Sequence, residues 1–337
     1  MRRTWLGLIA VACFGLLATG AGSAQEKGVS VLKSAYNGWQ NCYRMTNGQI
    51  ELIATTDVGP RVIRFAFVGE DNIFGENPDQ VGKTGGSEWR IYGGHRLWHA
   101  PEGMPRSYWP DNSPIKAEVR GDTLALIQPT EGSTNIQKEM EITMSADRNY
   151  VKVVHRLRNQ GLWPVEMAGW ALTMMNKRGR AIIPQPPYAS HDEALLPVWP
   201  LVLWAYTDMS DPRWTWGKRY IVLRQDPDAT EPQKVGVGDK ENWAAYLRGE
   251  HLFLKRFEYQ EGKNYPDYGC SVEIFTNADM LEVETLGPMT LLEPGDALEH
   301  VEHWFLYKGV TIKDDEDSID AAVQPKVRET DSIFEAG

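Results

Sequence analysis

What most constrains this chain is short apolar/polar alternation, cut again and again by turn residues, with no helical period competing against it. In "IQKEMEITMSADRNYVKVVHRLRNQG" Met140, Ile142 and Met144 alternate with polar residues, and after the "SADRN" turn Val151 and Val153 share one face of a second strand. Asn47-Gly48 marks a hairpin turn within "YRMTNGQIELIATT"; "DVGP" precedes the strand "RVIRFAF", and "GEDN" closes it. "IKAEVRGDTLALIQ" turns at Gly121-Asp122, and "SVEIFTNADMLEVETLGP" and "TLLEPGDALEHVEHWFLY" are again hairpin-like. Nowhere do apolar residues at i, i+3, i+4 and i+7 persist over successive turns. The expected fold is mainly β.

The chain opens with Arg2 and Arg3, an apolar run from Trp5 to about Ala18, and small residues ending at Ala24. That layout predicts a secretory signal peptide over 1–24 and a periplasmic or secreted mature protein. The run is shorter than the roughly 20 apolar residues of a spanning helix, so no membrane association is expected after cleavage. Residues 25–310 contain no linker and read as one β domain, large sandwiches being an exception to length-based domain counting. The acidic segment 311–337 reads as a solvated helix-and-coil appendage.

The formal net charge is -11, and loss of Arg2 and Arg3, the only charges in the leader, moves it to -13. An acidic chain without a Lys/Arg cluster in its sequence is a poor nucleic-acid binder, so small or neutral partners are expected. Cys42 and Cys270 remain after the leader, as one end-to-end disulfide or as two buried thiols. The middle, "IIPQPPYASHDEALLPVWPLVLWAYTDMSDPRWTWGKRY", is crowded with prolines and tryptophans and reads as loops over a scaffold, where binding groups tend to sit.

Two constellations carry candidate chemistry. In "YGGHRLWHAPE", His95 and His99 are four apart and share a face on either a strand or a helix, with Gly93-Gly94 and Pro101 arguing against the helix. The glycines permit close approach of backbone to a ligand; Tyr92 and Trp98 offer flat surfaces for a sugar ring, with Arg96 between the histidines. A metal site with Glu102 as a third ligand lacks the specific spacings, and a satisfied structural pair of histidines competes with direct work on a ligand. No metal or cofactor is expected. In "LEVETLGPMTLLEPGDALEHVEHWFLY", Glu282 and Glu284 share a strand face near what reads as a sheet rim, while His300, Glu302 and Trp304 share a face on the returning strand. Trp204 in the middle segment and Tyr265 and Asp267 in "NYPDYG" complete the candidate binding set.

Together these stretches resemble the galactose mutarotase-like superfamily, which includes the aldose 1-epimerases. "NGQIELIATTDVGPRVIRFAFVGEDNIF" resembles its first strands, "WRIYGGHRLWHAPE" its sugar-facing "IRGG" stretch, and "LEVETLGPMTLLEPGD" its terminal strand with a "PGE"-type turn. The resemblance implies an antiparallel β-supersandwich with a sugar cleft, a mono- or oligosaccharide partner, and Glu284 as the base at the anomeric hydroxyl. One departure stands against it: where the epimerases carry a proton-donating histidine, this chain has Trp170, Leu172 and Thr173. His95 or His99 is then the expected acid. The alternatives are a sugar-binding protein without catalysis and a polysaccharide lyase or hydrolase using the same cleft.

Overall fold

The computed structural model describes residues 28–335, so the expected leader lies outside the described residues. Its strands form an eleven-stranded and a ten-stranded sheet, all pairings antiparallel, and the mainly β expectation is borne out. The predicted turns form where the side chains dictate. Asn47 Oδ1 accepts from the backbone N–H of Gln49 and Ile50, joining Trp39–Thr46 to Ile50–Thr55; Gly121-Asp122 joins Lys116–Arg120 to Thr123–Ile127. In Ile136–Met144 the alternation buries Ile136, Met140, Ile142 and Met144, and the next strand buries Val151 and Val153.

The core lies between the sheets. Phe65 and Phe74 from one sheet meet Phe253 and Trp304 from the other at ring-centroid distances of 5.5–6.0 Å, mostly edge-on, an arrangement that contributes beyond simple burial. The acidic tail is not a solvated appendage. Its helices Glu316–Ala322 and Gln324–Phe334 dock Ile319, Val323 and Val327 against Tyr220, Trp243 and Leu254, and Arg219 and Arg256 hold Asp317 and Asp331. The alternation rule missed this because the docking stripe holds few apolar residues, and paired charges do the rest.

Cys42 lies on the strand Trp39–Thr46 and Cys270 in the turn that precedes Val272–Thr276, and both are buried and free. Burial pushes the Cys42 thiol up to about 11 and the Cys270 thiol higher still. Both thiols should therefore resist iodoacetamide at neutral pH in the native protein and label fully once it is unfolded in urea; rapid native labelling of either would contradict this packing.

Candidate functional site

Five neighbouring strands build one wall of a cleft: His95–Ala100, Val165–Met175, Leu281–Leu286, Val272–Thr276 and Gln233–Val237, paired in that spatial order. Cross-strand register aligns their side chains into rows. Arg96 lies opposite Leu172, Leu172 opposite Glu284, and Glu284 opposite Glu273; one row along, Glu282 lies opposite Phe275, and Phe275 opposite Lys234. Because successive side chains alternate between faces, these residues all project from the outer face of the sheet. With Trp89, Trp98, Tyr108, Trp170 and Tyr206, all of them except Glu273 line a cleft of about 250 Å³.

Glu284 therefore sits in the middle of the sheet, not at a rim, flanked on both sides by paired strands. Its Oε2 accepts from Trp170 Nε1 at 2.9 Å and from Lys234 Nζ at 3.2 Å, whereas among the described residues no group donates to Oε1. Lys234 also lies 2.7 Å from Glu273 Oε2 and 4.6 Å from the Trp204 ring centroid. Burial pushes the Glu284 carboxyl up to about 7 against the pull of Lys234. Burial alone would lower Lys234, but Glu284 and Glu273 hold it well above its ordinary value, while burial raises Glu273. The site thus holds an ammonium beside a carboxylate poised near neutrality. Arg96 pairs with Glu282 at 2.7 Å and lies 4.9 Å from the Trp98 ring centroid.

His95 and His99 share a face as expected, but it is the inner one. Residues 96 and 98 take the cleft side of the strand, so 95 and 99 must take the other. The tandem glycines serve the same packing: a Cβ on Gly94 would lie 2.1 Å from the Val62 carbonyl oxygen, and one on Gly93 2.3 Å from that of Gly75. Backbone, not ligand, makes the close approach. His99 is buried, and burial with Lys138 and Arg106 nearby lowers it to about 3.

His95 belongs to a polar network between the sheets whose proton positions follow from its partners. His155 Nδ1 faces the His300 carbonyl at 2.9 Å and must donate, which leaves His155 Nε2 an acceptor for His95 Nε2–H at 2.6 Å. His95 Nδ1 then accepts the Thr173 hydroxyl, and Thr173 Oγ1 accepts from Lys255 Nζ. Glu302 accepts from Trp304 Nε1 and Thr285 and pairs with Lys255 at 2.8 Å. Burial keeps His95, His155 and His300 neutral. His95, His155 and Glu302 are close enough to ligate a cation, their candidate atoms lying within 4.8 Å. Each of these atoms is already engaged, and Glu302 is already paired with the Lys255 ammonium. Neither histidine reaches the cleft.

Of the other candidates, Arg96 and Trp98 line the cleft, and Trp204 stands beside its Lys234 wall. Tyr92 does not line the cleft: it is buried in a separate cluster with Cys42 and Ile63, bonded to Asn112 and packed on Trp39. Tyr265 stacks on Tyr259 at 4.9 Å, and Asp267 adopts a left-handed turn conformation, φ +50°. Among the described residues no histidine lines the cleft. Lys234, Tyr108 and Tyr206 are members that sequence reading missed. A lysine within the otherwise apolar alternation of "QKVGV" is the signal that could have found the first.

No family model matches the chain, and no curated protein does. Solved structures do. A protein from Klebsiella pneumoniae provisionally named as an aldose 1-epimerase superposes with a TM-score of 0.56 at 12% identity, covering 91% of this chain and 92% of that one. A galactose mutarotase related enzyme from Lactobacillus acidophilus gives 0.52 at 9% identity, covering 80% and 98%. A TPR-domain containing protein from Parabacteroides distasonis gives 0.54 at 12% identity over 81% of this chain and 48% of that one. At such identities the likeness is one of fold.

Proposed function

We propose, from the premise that this chain has the galactose mutarotase-like fold, that its cleft receives a single sugar ring and that Glu284 acts as the base at the anomeric hydroxyl. One observation carries the reading: a buried carboxylate raised to about 7, with one oxygen that has no partner among the described residues, stands on a wall of aromatic side chains. A base whose pKa lies near working pH combines availability with driving force. The indoles of Trp89 and Trp98 present flat apolar surfaces to a sugar's C–H face, and Arg96, Lys234 and Glu282 offer polar atoms to its hydroxyls. The volume suits one ring better than a chain of them.

Proton NMR on the protein with a panel of reducing sugars, following anomeric exchange and saturation transfer in the same samples, tests this. Accelerated exchange supports the base role; neither accelerated exchange nor saturation transfer for any sugar would sink the reading. A second reading, binding without turnover, is favoured by the lack of a histidine among the cleft-lining residues. It predicts saturation transfer without accelerated exchange. In both cases Trp89→Ala, which removes a half-buried wall of the cleft, should weaken sugar binding about tenfold. Unchanged affinity would place the ring elsewhere.

A further inference from the structure

In an acidic chain, four guanidiniums converge on one cavity far from Glu284 in the sequence and on the other sheet. Arg178, Arg180, Arg213 and Arg224 line about 290 Å³ together with a single carboxylate residue, Asp226. Arg180 and Arg224 lie directly opposite each other across paired strands. Like charges in that position oppose folding unless something lies between or beside them.

The protein's own carboxylates compensate only part of this charge. Arg180 pairs with Asp314 at 2.8 Å, and that aspartate is largely exposed. Arg213 gives Nε and Nη2 to Asp211, yet its Nη1 is buried without a partner, an arrangement that costs free energy unless a ligand completes it. Among the described residues neither Arg178 nor Arg224 has a carboxylate within ion-pair distance; the Arg224 guanidinium donates to the Pro212 carbonyl.

The local backbone is built to hold this cluster. Arg178 stands at φ +69°, a left-handed conformation unfavourable for a residue with a Cβ, and its N–H is fixed to Gln225 Oε1 at 2.7 Å. Gly179 follows with its N–H on the Tyr246 hydroxyl at 2.9 Å, and a Cβ there would lie 2.3 Å from that ring. Gln225 is in turn fixed by its side-chain amide to the carbonyls of Asn277 and Ala278. Strain held this firmly at a charged surface is the pattern of a ligand clamp.

We propose that this arginine cluster is a binding site for a tetrahedral oxyanion, phosphate or sulfate, either as the free ion or as an ester on a larger molecule. Guanidinium forks match the geometry of such oxygens and remain charged at any working pH. The site is independent of the sugar cleft and of the reading given to it.

Isothermal titration of the full protein with inorganic phosphate and inorganic sulfate at low ionic strength tests the proposal, with glucose 6-phosphate as the ester arm. Saturable binding of one ion per chain is expected, weakened at least about tenfold in Arg178→Gln/Arg224→Gln, where both changed side chains are exposed and the fold should persist by circular dichroism. Tighter binding of the ester identifies an esterified ligand, and equal or weaker binding identifies the free ion; each supports the site provided the double variant loses it. Glu284→Gln should bind as the wild type does. No saturable binding, binding unchanged in the folded double variant, or binding lost in Glu284→Gln would overturn the assignment.

Discussion

Glu284→Gln is expected to lower the rate of anomeric exchange by about 10²–10⁴-fold while leaving the fold intact. The substitution keeps the shape of the side chain and an oxygen to accept from Trp170 Nε1, the 2.9 Å contact that orients the carboxylate. What it removes is the ability to take a proton. It also removes a buried group that burial has pushed up to about 7, so the fold gives up no favourable ionisation below that pH. The sign follows from linkage: a carboxyl whose folded pKa lies above its unfolded value near 4.3 favours folding in its protonated form, and it opposes folding increasingly as pH rises through that interval. Wild-type exchange should accordingly climb with pH around a midpoint near 7, as the free oxygen loses its proton. Because Glu273, Lys234 and Glu284 interact closely, that midpoint belongs to the trio. Exchange that survives in Glu284→Gln would remove this residue from the chemistry, and a flat profile between pH 5 and 8 would separate the chemistry from its ionisation.

The fold was readable from the sequence because alternation is a local property. Met140, Ile142 and Met144 declare their face without reference to any other strand, and Asn47 makes its turn with its own neighbours. Glu284, Arg96 and Trp98 were readable as cleft members in the same way, through residue type and resemblance. What alternation cannot give is which of a strand's two faces is the inside. His95 and His99 were correctly placed together and then assigned to the wrong side, because His95 finds its partners on strands far along the chain: Thr173, His155 and, through them, Lys255. Lys234 was harder to place for a related reason: the two carboxylates that compensate its buried ammonium, Glu273 and Glu284, come from other strands.

The interior network makes the largest stability prediction. Lys255 is fully buried, with its Nζ 2.8 Å from Glu302 Oε1 and from Thr173 Oγ1 and 3.1 Å from the Val283 carbonyl oxygen. Lys255→Met would leave Glu302 charged, buried and without a cation, a loss that costs about 3–5 kcal/mol in comparable pairs. Urea unfolding at pH 7 should report it as a fall in midpoint at unchanged slope. Adding Glu302→Gln removes the orphaned charge, keeps one oxygen to accept from the Trp304 indole and turns an amide N–H towards the Thr285 hydroxyl oxygen, so the double variant should recover much of the loss. The pH dependence distinguishes this from lost packing. In the wild type, burial would raise Glu302, but Lys255 beside it holds the carboxyl well below the usual range. Its contribution is therefore present above the unfolded pKa near 4.3 and lost only as pH falls through the lower folded value. Without the ammonium, burial wins and the folded pKa rises, so the variant loses stability as pH climbs above 4.3. The gap between variant and wild type should then be widest at pH 7 and narrow towards pH 5. A gap that stays constant with pH, with no recovery in the double variant, would mean that Lys255 acts through its aliphatic stem and not its charge.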